Sequence, residues 1–188
     1  MSKDIEFPEI TGTQELIMPP EVVIELYNHF ENNSIEIRID GSWGVDALLG
    51  EQTRPHDDLD IVVQTKDVPK LRELLAERGY DDVERDDTSA WNFVLGDNVG
   101  HEIDIHVITY DESGNGIYGP PEKGVFYPAS SLTGTGSING QSVRCISAED
   151  IIKFHSGYKL KEKDYHDVKA LCDKFGIPLP EEYMKFES

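Results

Sequence analysis

Asp40-Gly41-Ser42-Trp43-Gly44 and, shortly after it, Arg54-Pro55-His56-Asp57-Asp58-Leu59-Asp60-Ile61-Val62-Val63 decide how this chain is read. The first run sets a Gly-Ser turn directly after Ile35-Glu36-Ile37-Arg38-Ile39, whose alternation predicts a strand. The second run opens another strand, Leu59 to Gln64. Residues two apart on a strand point to one side, so Asp58 and Asp60 present their carboxylates together while Leu59 and Ile61 turn to a core. Two acids held this way repel each other unless a cation lies between them.

Magnesium is the natural cation, because a hard ion takes oxygen ligands and is held by one or two carboxylates plus the phosphates of a substrate. The Gly-Ser turn offers the complementary half of such a site. Glycine lets backbone approach a ligand closely, and amides opening a short helix, Val45 to Leu49 closed by Gly50, can cradle phosphate oxygens. A Gly-Ser pair alone is an ordinary turn, and Asp-Asp-Leu-Asp alone is a common solvated strand entry. Their combination, with Trp43 and Asp46 between them and a third acid downstream, is what points to chemistry.

That third acid comes from Glu102 to Ile108, a predicted strand in which Glu102, Asp104 and His106 share one face and Ile103, Ile105 and Val107 the other. If this strand lies beside the Asp58 strand, Asp104 joins the pair. His106 then either orients substrate or serves the fold.

Composition narrows the partners. The chain has 188 residues, 38% of them hydrophobic, and a formal net charge of −20 at pH 7. Nucleic-acid binders need basic stripes to displace counterions, so this acidity argues against such a partner. It favours cationic small molecules, and it equally serves solubility. Cys145 and Cys172 lack metal-ligand spacing and read as buried thiols. No window approaches the length of a membrane span, and Met1 to Gly12 is acidic without a long apolar stretch, so a reducing cytoplasm is expected.

Elsewhere Pro19-Pro20 starts a helix with the apolar stripe Val22, Val23, Leu26 and Phe30. Val68 to Arg78 predicts a helix stopped by Gly79, and Ala90 to Leu95 a strand. Asp111 to Lys123 reads as a loop, either a lid over substrate or an excursion. Ser137 to Val143 reads as a hairpin about Asn139-Gly140. Ser147 with Asp150 three positions on predicts a capping box for a helix to about Tyr158, followed by a helix from about Lys163 to Phe175. The expected organisation is a catalytic lobe, residues 1–145, against a small helical lobe, residues 146–188.

Asp40 to Gly50 with Thr53 to Asp60, Ile103-Asp104-Ile105-His106, Cys145-Ile146-Ser147, Phe154 to Tyr158 and Glu162-Lys163-Asp164 together resemble the lincosamide and aminoglycoside adenylyltransferases of the nucleotidyltransferase superfamily. The chain has Gly-Ser where many of these enzymes have Gly-Gly. The resemblance implies an α+β nucleotidyltransferase fold, a mixed sheet flanked by helices with a small helical carboxy-terminal lobe. It also implies transfer of AMP from ATP to an antibiotic hydroxyl with release of pyrophosphate. Asp58, Asp60 and Asp104 would hold two magnesium ions, with Asp104 as general base. Gly41 and Ser42 would hold the terminal phosphates. Arg54 and His56 would reach phosphate or balance the carboxylates. Lys163 would contact the triphosphate, and Tyr158 would stack on the base or sit in the core, whereas His155 is read as packing its helix. A protein or native-metabolite acceptor, and a nucleotide-binding module without catalysis, remain rival readings, and a homodimer is compatible with either.

Overall fold

A computed structural model describes residues 18–187; the acidic leader read from Met1 to Gly12 lies outside the described residues. Among these, one mixed sheet organises the chain. Helix α1 (Pro20–Asn32) leads into strand β1 (Ile37–Asp40), helix α2 (Gly41–Leu49), strand β2 (Asp58–Gln64) and helix α3 (Val68–Glu77). Strands β3 (Asp81–Val83), β4 (Asn92–Gly96), β5 (Glu102–Tyr110), β6 (Gly116–Tyr118), β7 (Phe126–Tyr127), β8 (Gly134–Ile138) and β9 (Gln141–Cys145) follow, then helices α4 (Ala148–Phe154) and α5 (Glu162–Phe175).

The strand order is β3-β4-β5-β2-β1-β9-β8, with β6 added to β5 and β7 to β6. Most neighbours are antiparallel, but β2 runs parallel to β5 and β1 parallel to β9. The β2–β5 register sets Asp60 opposite Asp104, and β1 sets Asp40 opposite Asp60. Acids that are distant in sequence therefore arrive on adjacent strands.

The period-two pattern explains the layering. Leu59, Ile61 and Val63 of β2 and Ile103, Ile105 and Val107 of β5 join one apolar cluster with α1 and α3, through Val23, Leu26, Phe30, Leu71 and Leu75. On the opposite face Val62 and Ile108 join a second cluster with α4 and α5, through Ile151, Ile152, Val168 and Leu171. Each fully buried aliphatic side chain contributes about 1.5–3 kcal/mol on such a face. Helix α2 also packs across β8, where the absence of a side chain at Gly136 is required: a Cβ there would lie 2.2 Å from the Ala47 carbonyl oxygen.

Several local expectations shift. Helix α2 starts at Gly41 itself, so Gly-Ser is the helix's first turn and not a turn that precedes it. The segment from Asp111 to Lys123 is built into the sheet edge: Asp111 accepts from the amides of Ser113 and Asn115 at 2.8 and 2.9 Å, and β6 pairs with β5. The Asn139-Gly140 hairpin forms, both residues taking positive φ. Ser147 is the N-cap of α4, but its hydroxyl donates to the Asp150 carboxylate at 2.7 Å and caps no amide. Helix α4 ends at Phe154, short of Tyr158; the His155 carbonyl accepts from the Tyr183 hydroxyl and leaves the helical ladder.

Candidate active site

The sheet delivers three carboxylates to one edge of a cleft. Asp58 and Asp60 project from β2 and Asp104 from β5, each partly exposed, with the aliphatic residues between them turned into the first core cluster. One atom each from Asp60, Asp104 and His106 lie within 4.8 Å of one another. The His106 Nε2 is 3.6 Å from Asp60 Oδ1 and 3.9 Å from Asp104 Oδ1, and its Nδ1 is 3.4 Å from the Tyr118 hydroxyl.

Burial of like charges shows in the acid–base properties. Burial, then the charges of Asp60 and Asp104, push the Asp58 carboxyl up to about 7. Burial likewise raises Asp104 to about 6; His106 opposes that shift and Asp60 adds to it. Burial disfavours charge on His106 too, but the Asp60 contact and the charges of Asp40 and Asp104 carry it up to about 9. Asp40, buried at the end of β1, is raised by desolvation while the Gly41 amide at 2.8 Å and the Tyr127 hydroxyl at 3.1 Å hold it.

The fit to a divalent cation rests on what is missing inside. Asp104 Oδ1 is buried and has no hydrogen-bond partner among the described residues. The site offers oxygen atoms, the donor type that magnesium prefers. Asp58 is not among the three groups within 4.8 Å, yet it lines both recesses that flank the acids.

The first recess, about 290 Å³, is bounded by Asp40, Gly41, Ser42, Asp58, Asp60, Phe154, His155, Tyr158, Lys163 and Asp164. Here the sequence-predicted residues Gly41, Ser42, Tyr158 and Lys163 meet. Gly41 takes φ +57°, and a Cβ on it would lie 2.3 Å from Asp60 Oδ2, so no larger residue brings helix α2 this close to the acid. Tyr158 is half exposed on the connection between α4 and α5, its hydroxyl donating to Asp164 at 3.3 Å; it is not in the core. His155 holds the end of its helix, with Nδ1 2.8 Å from the Ile151 carbonyl oxygen, and also lines the recess. The second recess, about 160 Å³, lies on the other side of Asp58 and Asp104 and is walled by Arg85, Asp87, Thr88, Asn92 and Glu102.

Arg54 and His56 do not line the first recess. The His56 ring is buried and closely paired with the buried Asp46 of α2, with its edge against Trp43, so it reaches neither the recess nor the acid triad. Arg54 donates through Nε and Nη2 to both oxygens of Asp167 on α5, at 2.9 and 2.5 Å, and through Nη2 to Ser42 Oγ at 2.6 Å. The carboxylate it balances is thus Asp167 and not the triad. Neither pairing carries a local signal in the sequence: Arg54 and Asp167 lie far apart along the chain, and His56 meets Asp46 across the loop that follows α2, outside any helix or strand period. His106, alternating with Asp104 on one strand face, was the one neighbour that periodicity exposed.

A helix opened by Gly-Ser beside acids on neighbouring strands of a mixed, helix-flanked sheet defines the nucleotidyltransferase fold. A family model of aminoglycoside-2''-adenylyltransferases matches residues 22–171, and this chain belongs to that family. It is 32% identical over 142 residues to the lincosamide resistance protein of Staphylococcus haemolyticus, spanning 76% of this chain and 87% of that protein. Among solved structures, the lincomycin-bound lincosamide antibiotic adenylyltransferase LnuA matches with a TM-score of 0.72 and 29% identity, over 86% of this chain and 99% of that one. ANT(2'')-Ia in complex with adenylyl-2''-tobramycin shares the fold at a TM-score of 0.65 and 19% identity, over 84% and 89% of the two chains. The chain is accordingly a nucleotidyltransferase. No helix among the described residues is long and apolar enough to cross a membrane.

Proposed function

We propose that this enzyme moves AMP from ATP to a hydroxyl of a lincosamide or aminoglycoside antibiotic and releases pyrophosphate. The observation that supports this reading is a group of three acids, one Asp104 oxygen of which has no hydrogen-bond partner among the described residues, set between two recesses, one bordered by a helix N-terminus and a lysine, the other by polar and charged side chains.

Asp58, Asp60 and Asp104 would hold magnesium, which when bound neutralises the triphosphate and stabilises the attacking and leaving oxygens. The remaining work belongs to the chain's own groups. The amide and hydroxyl of Ser42, at the positive end of α2, bind the terminal phosphates, while Gly41, its own amide held by Asp40, lets the backbone come close to them. Lys163, exposed at the start of α5, adds a cation to the same recess, and Tyr158 offers a ring face to the base. Asp104 takes the proton of the acceptor hydroxyl as that oxygen bonds to the α-phosphorus and the bond to pyrophosphate breaks. The second recess, which Asp104 lines, receives the acceptor. Arg85 bonds to Glu102 at 2.6 Å on its wall, which leaves Asp87 as a further anionic group there for an amine-bearing drug.

The net charge of −20 supports a small cationic acceptor over a nucleic acid. The free thiols of Cys145 and Cys172 support the cytoplasm as the compartment of action. Pyrophosphate release by the purified chain with ATP and magnesium, measured with each drug of a lincosamide and aminoglycoside panel, tests the reading. Drug-dependent release supports it. No release with any member by a folded protein, together with labelled ATP marking a protein in cell extract, overturns the antibiotic acceptor.

A further inference from the structure

We infer that Arg54 is a positioning residue for the nucleotide recess: it fixes Ser42 as a hydrogen-bond donor toward bound phosphate and sets the distance between Ser42 and the helix that carries Lys163. The inference deepens the reading above, since it rests on the recess at Gly41 and Ser42 binding a nucleotide.

The argument begins with the donors of a guanidinium, which has five N–H groups and accepts nothing. Arg54 gives Nε–H and one Nη2–H to Asp167, the second Nη2–H to Ser42 Oγ, and one Nη1–H to the Pro55 carbonyl at 3.1 Å. Ser42 therefore accepts from Arg54. Its own hydroxyl proton is left to donate, and Ser42 borders the recess with Gly41 and Lys163. A serine without such a neighbour rotates freely between donor and acceptor roles. Next to Arg54, one of its lone pairs is occupied by a cation, which also strengthens the O–H as a donor.

Arg54 itself cannot wander. Asp167 has only 1% of its side chain exposed, so its charge requires the fork that Arg54 supplies. The segment around Arg54 is tied to the buried Asp46: the preceding Thr53 donates to it through amide and hydroxyl at 3.2 and 2.8 Å, and His56, two residues on, pairs with it. From α5, His166 Nε2 reaches Thr53 Oγ1 at 3.0 Å. Asp167 lies one helical turn beyond Lys163, on the same face of α5. The bond that orients Ser42 therefore also sets where Lys163 enters the recess.

A double-mutant cycle on the full-length chain tests this. Calorimetric titration with a nonhydrolysable ATP analogue and magnesium gives the affinity, and steady-state assays separate KM for ATP from kcat. Ser42→Ala should weaken nucleotide binding about tenfold, the scale of one charge-assisted hydrogen bond. Arg54→Lys, which keeps a cation for Asp167 but cannot fork to Ser42, should weaken binding by a similar factor and raise KM more than it lowers kcat. The doubly substituted chain should be at most about twofold worse than either single one. Multiplicative losses, or an Arg54→Lys chain that binds like the unsubstituted one while Ser42→Ala does not, overturn the role of Arg54 and leave the functional reading intact. Unchanged binding by Ser42→Ala overturns the donor role of Ser42 and with it the inference, whereas no nucleotide binding by the unsubstituted chain overturns the functional reading itself. Should Arg54→Lys melt before the titration temperature, Asp167→Asn in the same cycle with Ser42→Ala gives the same test, with non-additivity again the supporting result.

Discussion

Two groups of carboxylates in this molecule are treated in opposite ways. Beneath α2 and along α5, Asp46 and Asp167 are buried and each has its partners: His56 and Thr53 for one, both arms of Arg54 for the other. At the ends of β2 and β5, Asp58, Asp60 and Asp104 face one another, with the longer contacts of His106 as their neighbouring positive charge and one oxygen of Asp104 unmet. The first arrangement stabilises the fold through completed pairs. The second leaves a charge deficit that an external cation offsets, which is how a fold built elsewhere holds a reactive centre.

The sharpest break of that comparison is Asp58→Asn. Turnover should fall about a thousandfold, the loss of several kcal/mol of metal-borne stabilisation. The metal-free protein at pH 8 should melt about 2–4 °C higher, because a repelling charge is gone. Steady-state assays and differential scanning fluorimetry read the two effects. A lower melting point would place Asp58 with the completed pairs.

Asp46→Ala should act with the other sign, losing about 3–5 kcal/mol in urea unfolding, since it strands His56 and Thr53 without their acceptor. Gly41→Ala comes next. Its φ of +57° and the 2.3 Å approach of a Cβ to Asp60 should cost about 1–2 kcal/mol from the backbone alone, with turnover reduced further by displacement of Asp60.

A pH series sharpens the contrast more gently. Asp58 and Asp104 are raised to about 7 and about 6, so in the metal-free protein their stabilising share is complete below the unfolded value of about 4. It is lost as pH rises through 6 to 7. His106, raised to about 9, adds a loss as pH climbs from about 6.5 through that value. The rise in melting temperature caused by magnesium should therefore grow between pH 5 and pH 8, with protons released on binding. The smallest effect belongs to Lys163→Met, which should raise KM for ATP only about threefold, because an exposed cation is screened by water.

Much of the candidate site is legible in the sequence. Period-two alternation in Leu59 to Val63 and Ile103 to Val107 placed Asp58, Asp60 and Asp104 on one face, because burying one side of a strand fixes the other. The turn chemistry of Asn139-Gly140 likewise declared its hairpin. The partners of Arg54 and His56, Asp167 and Asp46, are chosen by how α2 and α5 pack, and packing leaves no periodic trace. The end of α4 depended on a hydroxyl from Tyr183, outside any window in which helix signals are weighed.

The parallel register of β2 and β5 has a consequence for how such a chain can change over time. The chain leaves the pair at Gln64 and returns at Glu102, so the loops joining α3, β3, β4 and β5 can lengthen or shorten while Asp60 still meets Asp104, provided that α3 and β4 keep their places against the pair. Deleting one residue between Glu102 and Asp104 is different in kind. It would turn isoleucines toward the solvent-filled recess and acids into the apolar layer, so that shape and chemistry would fail in one event. Diversity of acceptor is therefore cheap in the outer walls of the second recess, and the strand pair that bears the acids is closed to insertion.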